Sequence, residues 1–239
     1  MPRAFAIAGG LLFVGSLLYF AVSYGWRFTG GGEWSWREGL PPALVDLALF
    51  SVFALHHSIF ARTRLKETVQ RLATPELERP VYIWLASLLF VLVCVAWQPV
   101  PGVLWHITGP ARWILQAIQL VAAVLAVVSA HRLDMLALAG VRQFIPAGAE
   151  RGAGAKPPGS KLDDRGPYGW VRHPVYLGWF VLVWCTPLMN GTRALFAAVS
   201  CFYLMLAIPF EERDLRRTFG DAYRQYAARV RWKVIPWVY

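Results

Sequence analysis

Charge is scarce in this sequence: 16% of its 239 residues are Asp, Glu, Lys or Arg, against 57% that are hydrophobic, and the mean hydropathy is +0.43. That balance excludes an ordinary soluble domain. Cysteine is scarce as well. The three present, Cys94, Cys185 and Cys201, fall inside apolar stretches without paired spacing, so neither a disulfide framework nor a zinc site is indicated. Acidic residues number 14 against 24 basic ones, a net charge of +10, yet the basic residues form no separate domain. Scattered over loops beside apolar stretches, they suit anionic lipid headgroups and speak against a nucleic-acid partner. No internal repeat is visible, and the one biased piece is the Gly, Ala and Pro loop Pro146 to Gly159. No small-residue cleavage site separates Tyr24 from the Gly30, Gly31, Gly32 turn, so the first apolar stretch reads as a retained span.

What is abundant is the apolar stretch. Six are evident: about Phe5 to Tyr24, Pro41 to Phe60, Val81 to Trp97, Trp113 to Ala130, Val175 to Met189, and Ala194 to Phe210. Most approach the ~20 residues that cross a hydrocarbon core of ~30 Å, while the fifth is short and runs into Pro187. The expected fold is all-α: a polytopic transmembrane helix bundle of about six spans, the last two a helical hairpin, with a cytosolic C-terminal amphipathic helix. If the hairpin were re-entrant, Arg193 would sit within the membrane. Twenty of the 24 basic residues fall in alternate inter-span segments, which places both termini and the two long basic loops in the cytosol by the positive-inside rule.

Ionisable groups at membrane depth are costly and therefore candidate functional residues. Asp46, His56 and His57 lie in the second stretch, and His131 with Asp134 just past the fourth. Asp46 and His57 are eleven residues apart, about three helical turns or ~16 Å, so they cannot touch. The segment His131 to Phe144 reads as a continuation of the fourth helix, on which Asp134, Leu138 and Arg142 share a face.

The most informative segment is the last, Gly166 to Pro236, which places Arg172, His173, Tyr176, Glu211, Glu212, Arg213, Tyr223 and Tyr226 at the basic ends of spans. Pro174 makes His173 extended and opens the next helix, so His173 sits at a helix entrance whose dipole suits an anion. Gly178 would let a ligand or another helix approach the backbone. Leu215, Phe219, Tyr223, Tyr226 and Val230 recur at steps of three or four, the apolar stripe of an amphipathic helix packing on the membrane or the site. A carboxylate pair, an Arg-His helix entrance and several tyrosines at one depth match a small zwitterionic ligand carrying an amine, a carboxylate and a ring.

These residues resemble a known group. RHPVYLG, a hairpin, EE and then FGDAYRQY before a late proline is similar to the isoprenylcysteine carboxyl methyltransferase and phospholipid N-methyltransferase superfamily of integral-membrane enzymes. The HHSIFAR, LERPVY and LDMLALAGVRQF segments look more like the bacterial methanethiol S-methyltransferases, and the NnrU proteins resemble the front half too. The resemblance implies S-adenosyl-L-methionine as methyl donor, with cofactor contacts at His173, Tyr176, Gly178, Glu211 and Glu212, and at Arg172, Tyr223 and Tyr226. The Gly-rich turn of soluble methyltransferases is absent, in keeping with a membrane-type site.

It further implies a single integral-membrane domain over 1–239, with front spans and the substrate side in 1–144 and the cofactor motif, hairpin and last helix in 160–239. The implied acceptor is a small thiol, methanethiol giving dimethyl sulfide. Because the thiolate is the strong nucleophile, a base or cation would help; His57, Asp134 and Arg142 are the candidates, with Gln143 as a substrate-orienting group. A prenylcysteine carboxylate or a lipid amine is the alternative acceptor. From another class, a haem-binding isomerase or accessory protein would use His56 or His57 as axial ligand. The expected setting is a bacterial inner membrane, with lipids as surroundings, no metal and no obligate protein partner.

Overall fold

In the computed structural model, residues 2–30, 36–60, 77–133 and 162–239 are described, and they are overwhelmingly helical. In chain order come α1 (Pro2–Gly25), α2 (Trp36–Phe60), α3 (Glu78–Ala96), strand β1 (Val103–His106), α4 (Pro110–Arg132), α5 (Pro174–Trp184), strand β2 (Leu188–Asn190), α6 (Gly191–Phe219) and α7 (Asp221–Arg229). Among the described residues, five helical segments are long and apolar enough to span: Pro2–Thr29, Leu40–Ser58, Glu78–Ala96, Pro110–Arg132 and Gly191–Phe219. The chain is thus an all-α polytopic membrane protein, as its apolar runs require.

The fifth apolar stretch departs from a full-length helix. α5 stops at Trp184 after 11 residues, because Pro187 bars helix at Thr186 and itself offers no N–H. The remainder continues as extended chain into β2. Eleven helical residues reach ~16 Å, about half of a ~30 Å bilayer core, so α5 by itself is too short to span. At its far end the chain is pinned. Gly191 N–H donates to the Gly102 carbonyl at 2.8 Å, and Asn190 Nδ2 donates to the carbonyls of Phe28 and Gly30 at 2.9 and 3.0 Å. Those acceptors follow α1 and α3, so the hairpin turns at the membrane face where α1 and α3 end.

The described residues divide into two compact units: those of Met1–Leu104 and Met189–Val199 in one, those of Trp105–Met135, Glu150–Leu188 and Ser200–Tyr239 in the other. The first is built on aromatic rings. Phe196, fully buried at the start of α6, meets Phe20, Phe28, Phe50 and Trp97 at centroid distances of 5.2 to 5.8 Å. Edge-on and offset ring pairs contribute beyond their buried area. Arg193 does not lie bare in the membrane: its guanidinium donates to the Tyr24 carbonyl at 2.6 Å and covers the Tyr24 ring at 5.1 Å. Asp46 is buried, and its carboxylate accepts the Gln98 N–H at 2.8 Å beyond the end of α3.

In the second unit α4 packs along α5, and Gly178 makes that approach possible. A Cβ there would stand 2.7 Å from the Ala122 carbonyl oxygen and 2.9 Å from the Ala126 methyl. Gln119 ties the same pair together by donating to the Leu182 carbonyl at 2.8 Å. The apolar stripe of the last helical region is shared by two helices. Gly220, at φ 55°, ends α6 and starts α7, and Tyr223, Tyr226 and Val230 form a buried cluster with Leu162, Leu215, Phe219 and Ala227. A left-handed residue is the ordinary way to stop a helix, and glycine adopts it without a Cβ clash.

Gly178→Ala should therefore destabilise the protein by about 1–3 kcal/mol through overpacking. Gly15→Ala, where a Cβ meets nothing within 4 Å, should be neutral or mildly stabilising, since alanine suits a helix better than glycine. Thermal unfolding in detergent checks this; equal midpoints for the two variants would contradict the packing account.

Candidate functional site

The site grows from the helix entrance at His173. Pro174 is the first residue of α5, and His173 precedes it at φ −123°, ψ 65°, outside the helical region as a pre-proline residue must be. Two backbone hydrogen bonds hold the entrance: Arg172 N–H donates to the Trp232 carbonyl at 2.9 Å and His173 N–H to the Lys233 carbonyl at 2.8 Å. The His173 ring then stacks on Tyr176, one turn into α5, with centroids 5.4 Å apart and planes 11° from parallel.

α6 supplies the acids. Glu211 and Glu212 are neighbours on a helix and so point about 100° apart, which gives them different surroundings. The Glu212 side chain is only 5% exposed and is clamped by cations: Arg172 Nε donates to Oε1 at 2.6 Å, and Arg216 Nη2, one turn on, donates to Oε2 at 3.1 Å. His173 Nε2 lies 3.6 Å from the same Oε1. Glu211, by contrast, is 43% exposed, accepts the Tyr176 hydroxyl, and faces His173 Nδ1 at 3.4 Å. Charge-assisted bonds of this kind are the strong ones in a site shielded from water.

Arg172 reaches further. Its Nη1 donates to the carbonyls of Val230 and Arg231 at 2.9 and 3.0 Å, just past the end of α7. A cation there satisfies carbonyls the helix leaves open and meets its negative dipole end. Tyr223 and Tyr226 are buried beneath. Tyr226 donates to the Tyr168 carbonyl at 2.8 Å, and Tyr168 in turn donates to the Ser129 carbonyl of α4 at 3.3 Å. Burial, with the Glu212 charge second, pushes the Tyr223 phenol up to about 12, so it stays neutral. Ion pairs brace the rim, Arg132 to Asp163 at 3.0 Å and Arg229 to Asp164.

Among the residues expected to form a site, Arg172, His173, Tyr176, Glu211, Glu212, Tyr223 and Tyr226 are therefore brought together. They differ in access: the Glu211 side chain is 43% exposed, whereas Arg172, Glu212, Tyr223 and Tyr226 are buried among one another. Gly178 lies beside α4, the second of the two neighbours its missing Cβ permits. Arg213 sits over the Phe210 ring at 5.7 Å, and Arg216, which sequence reading passed over, pairs with Glu212. The four-residue step from Glu212 to Arg216 was the available signal. His57 and His56 lie in the first unit, where His57 Nδ1 is 2.7 Å from the Tyr82 hydroxyl and the His56 ring stacks on Tyr82. Asp134, Arg142 and Gln143 lie outside the described residues. Among the described residues no group of three or more His, Cys, Asp or Glu could hold a metal ion.

A polytopic membrane protein thus carries a compact charged cluster at the mouth of a half-length helix, and comparison gives its family. The profile of the phospholipid methyltransferase family matches residues 117–222, which include His173, Tyr176, Glu211 and Glu212. The chain is 36% identical over 195 residues to Methanethiol S-methyltransferase 1 of Bradyrhizobium diazoefficiens, covering 81% of this chain and 67% of that protein. It is 36% identical over 197 residues to the Methanethiol S-methyltransferase of Mycobacterium tuberculosis, covering 81% and 78%. Nurim of Bos taurus is 30% identical over 191 residues, covering 74% and 69%. No solved structure matches. The chain belongs to this family of integral-membrane methyltransferases, enzymes that require a methyl donor.

Burial alone would lower the pKa of His173, but the carboxylates of Glu211 and Glu212 outweigh it and raise it above the ordinary 6.5. A raised histidine pKa stabilises the fold fully below 6.5, and that contribution is lost as pH climbs through the raised value. Thermal midpoints measured from about pH 6 to about pH 9 should thus fall more steeply for the wild type than for His173→Gln. Parallel pH slopes would show that the imidazolium is not part of the charge cluster.

Proposed function

We propose that this protein transfers a methyl group from S-adenosyl-L-methionine to a small thiol, with methanethiol as acceptor and dimethyl sulfide as product. The observation that carries the donor half is the pairing of a ligand-accessible Glu211 with His173 and Tyr176 at the α5 entrance, braced from behind by the Arg172–Glu212–Arg216 clamp. The donor carries an ammonium, a carboxylate, a ribose diol and a flat base. Exposed carboxylate oxygens on Glu211 suit the diol or the ammonium, and the stacked His173 and Tyr176 rings offer a flat wall. In this reading Arg172, Glu212, Tyr223 and Tyr226 serve the donor by fixing those groups in place, and Gly178 by seating α5 against α4.

When bound, the donor supplies a methyl group activated by its sulfonium. Transfer is an in-line displacement that neutralises charge, so the protein's tasks are alignment and exclusion of water. The acceptor reading rests on the names of the relatives, two of which are methanethiol S-methyltransferases. A small thiol needs help to ionise near neutrality. His57 is the described candidate, its Nδ1 2.7 Å from the Tyr82 hydroxyl; Asp134 and Arg142 are the others, with Gln143 to orient the thiol. The basic-residue count supports a cytosolic donor site and cytosolic termini, and the bacterial methanethiol S-methyltransferases among the relatives support a bacterial inner membrane as the setting.

Purified protein supplied with S-adenosyl-L-methionine should form dimethyl sulfide from methanethiol together with S-adenosylhomocysteine in equal amounts. Little turnover is expected with a prenylcysteine analogue or with phosphatidylethanolamine. Turnover of either of those in preference to methanethiol would replace the thiol reading with the prenyl or lipid one.

A further inference from the structure

The two backbone groups that fix the donor-site entrance, the Arg172 and His173 N–H, are held by carbonyls of a segment far along the chain, Trp232 and Lys233. Nothing in the chemistry of methyl transfer requires that segment, yet it is tightly made. The N–H groups of Lys233, Val234 and Ile235 converge on one oxygen of Tyr239, at 2.9, 2.9 and 3.2 Å, and the Val238 and Tyr239 N–H groups return to the Ile235 carbonyl at 3.1 and 2.9 Å. The loop is closed by side chains: Lys233 Nζ donates to the Tyr239 hydroxyl at 3.0 Å and lies 4.2 Å from the centre of its ring. Val234 is buried beneath. Trp237 adopts φ 64°, a left-handed conformation disfavoured for a bulky residue, so the closed loop holds a strain that an open one would release.

We infer that residues 230–239 form a strap that sets the donor site, with Lys233 and Tyr239 as positioning residues acting through the backbone of Arg172 and His173. The strap grips at two levels. Its Val230 and Arg231 carbonyls receive the Arg172 guanidinium, which also clamps Glu212, and its Trp232 and Lys233 carbonyls receive the two entrance N–H groups. If the Lys233–Tyr239 closure opens, those carbonyls are no longer presented in register. His173 and Arg172 then lose their fixed places relative to Glu211 and Glu212. Small displacements of positioning groups are enough to weaken binding of a ligand recognised by several of them. Because the strap's carbonyls meet the Arg172 guanidinium and the two entrance N–H groups, the loss falls on the donor and not on the thiol.

This inference rests on the donor-binding reading above, and the test keeps the two apart. The full chain in detergent is titrated with S-adenosyl-L-methionine by calorimetry, and turnover is measured with each substrate varied, for the wild type, Lys233→Ala, Tyr239→Ala, Tyr239→Phe, Lys233→Arg and Arg224→Ala. Arg224, in an exposed pair with Asp221, is the control. Lys233→Ala and Tyr239→Ala should weaken donor binding about five- to tenfold, the net worth of about one ordinary hydrogen bond, with the thiol KM and the thermal midpoint near wild type. Tyr239→Phe, which keeps the ring under Lys233, should fall between, and Lys233→Arg should restore most of the affinity. Donor affinity unchanged in both alanine variants would overturn the strap. Donor affinity and thermal midpoint falling together while the thiol KM rises would also overturn it, in favour of general loosening. A wild-type protein that binds no donor would instead remove the reading beneath it.

Discussion

One buried carboxylate organises the site. Glu212 is nearly sealed from solvent and is satisfied by two guanidinium groups, one from the same helix and one from the residue before the α5 entrance. In a low-dielectric setting such an arrangement is unforgiving: a complete clamp is tolerated, whereas removing one partner strands a charge and typically costs about 3–5 kcal/mol. Arg172 cannot serve Glu212 without standing where its remaining donors meet the carbonyls past α7. It cannot stand there unless the entrance is drawn toward residues 230–233. Through Arg172 the paired charge ties the α5 entrance to Glu212 of α6 and to the carbonyls past α7.

The clamp also explains how two adjacent glutamates do different work. A helix turns them about 100° apart, so Glu212 is buried in the arginine clamp while Glu211 is 43% exposed and meets His173 and Tyr176. The membrane imposes the other half of the design. A polar site at the mouth of a spanning element needs donors and acceptors that regular helices have already used. Pro174 starts α5 and leaves the helix end open at His173, with the ion pairs around it supplying the compensation.

Local patterns told most of the fold. The apolar runs, the basic loops and the RHP and EE segments are short-range signals, and they marked the membrane helices, the family and the residues that meet around His173. Long-range facts were hidden. That Glu212 is buried and Glu211 open depends on where Arg172 arrives from 40 residues upstream, and that Gly178 meets α4 depends on Ala122 and Ala126 across the unit. Trp232 and Lys233 contribute carbonyls, which every residue has, so no side-chain pattern could flag them. Pro187 did hint at the early end of α5, and the Glu212–Arg216 spacing was in plain view.

The central claim is that Glu211 meets the donor while Glu212 holds the site together, and comparing Glu211→Gln with Glu212→Gln tests it most directly. Donor affinity by calorimetry and the thermal midpoint are measured on the same preparations. The account predicts that Glu211→Gln loses donor affinity about tenfold or more with little change in midpoint, and that Glu212→Gln loses both, since it leaves Arg172 and Arg216 without their shared counter-ion. If Glu212→Gln keeps a wild-type midpoint, or Glu211→Gln keeps wild-type donor affinity, the division of roles between the two carboxylates is wrong.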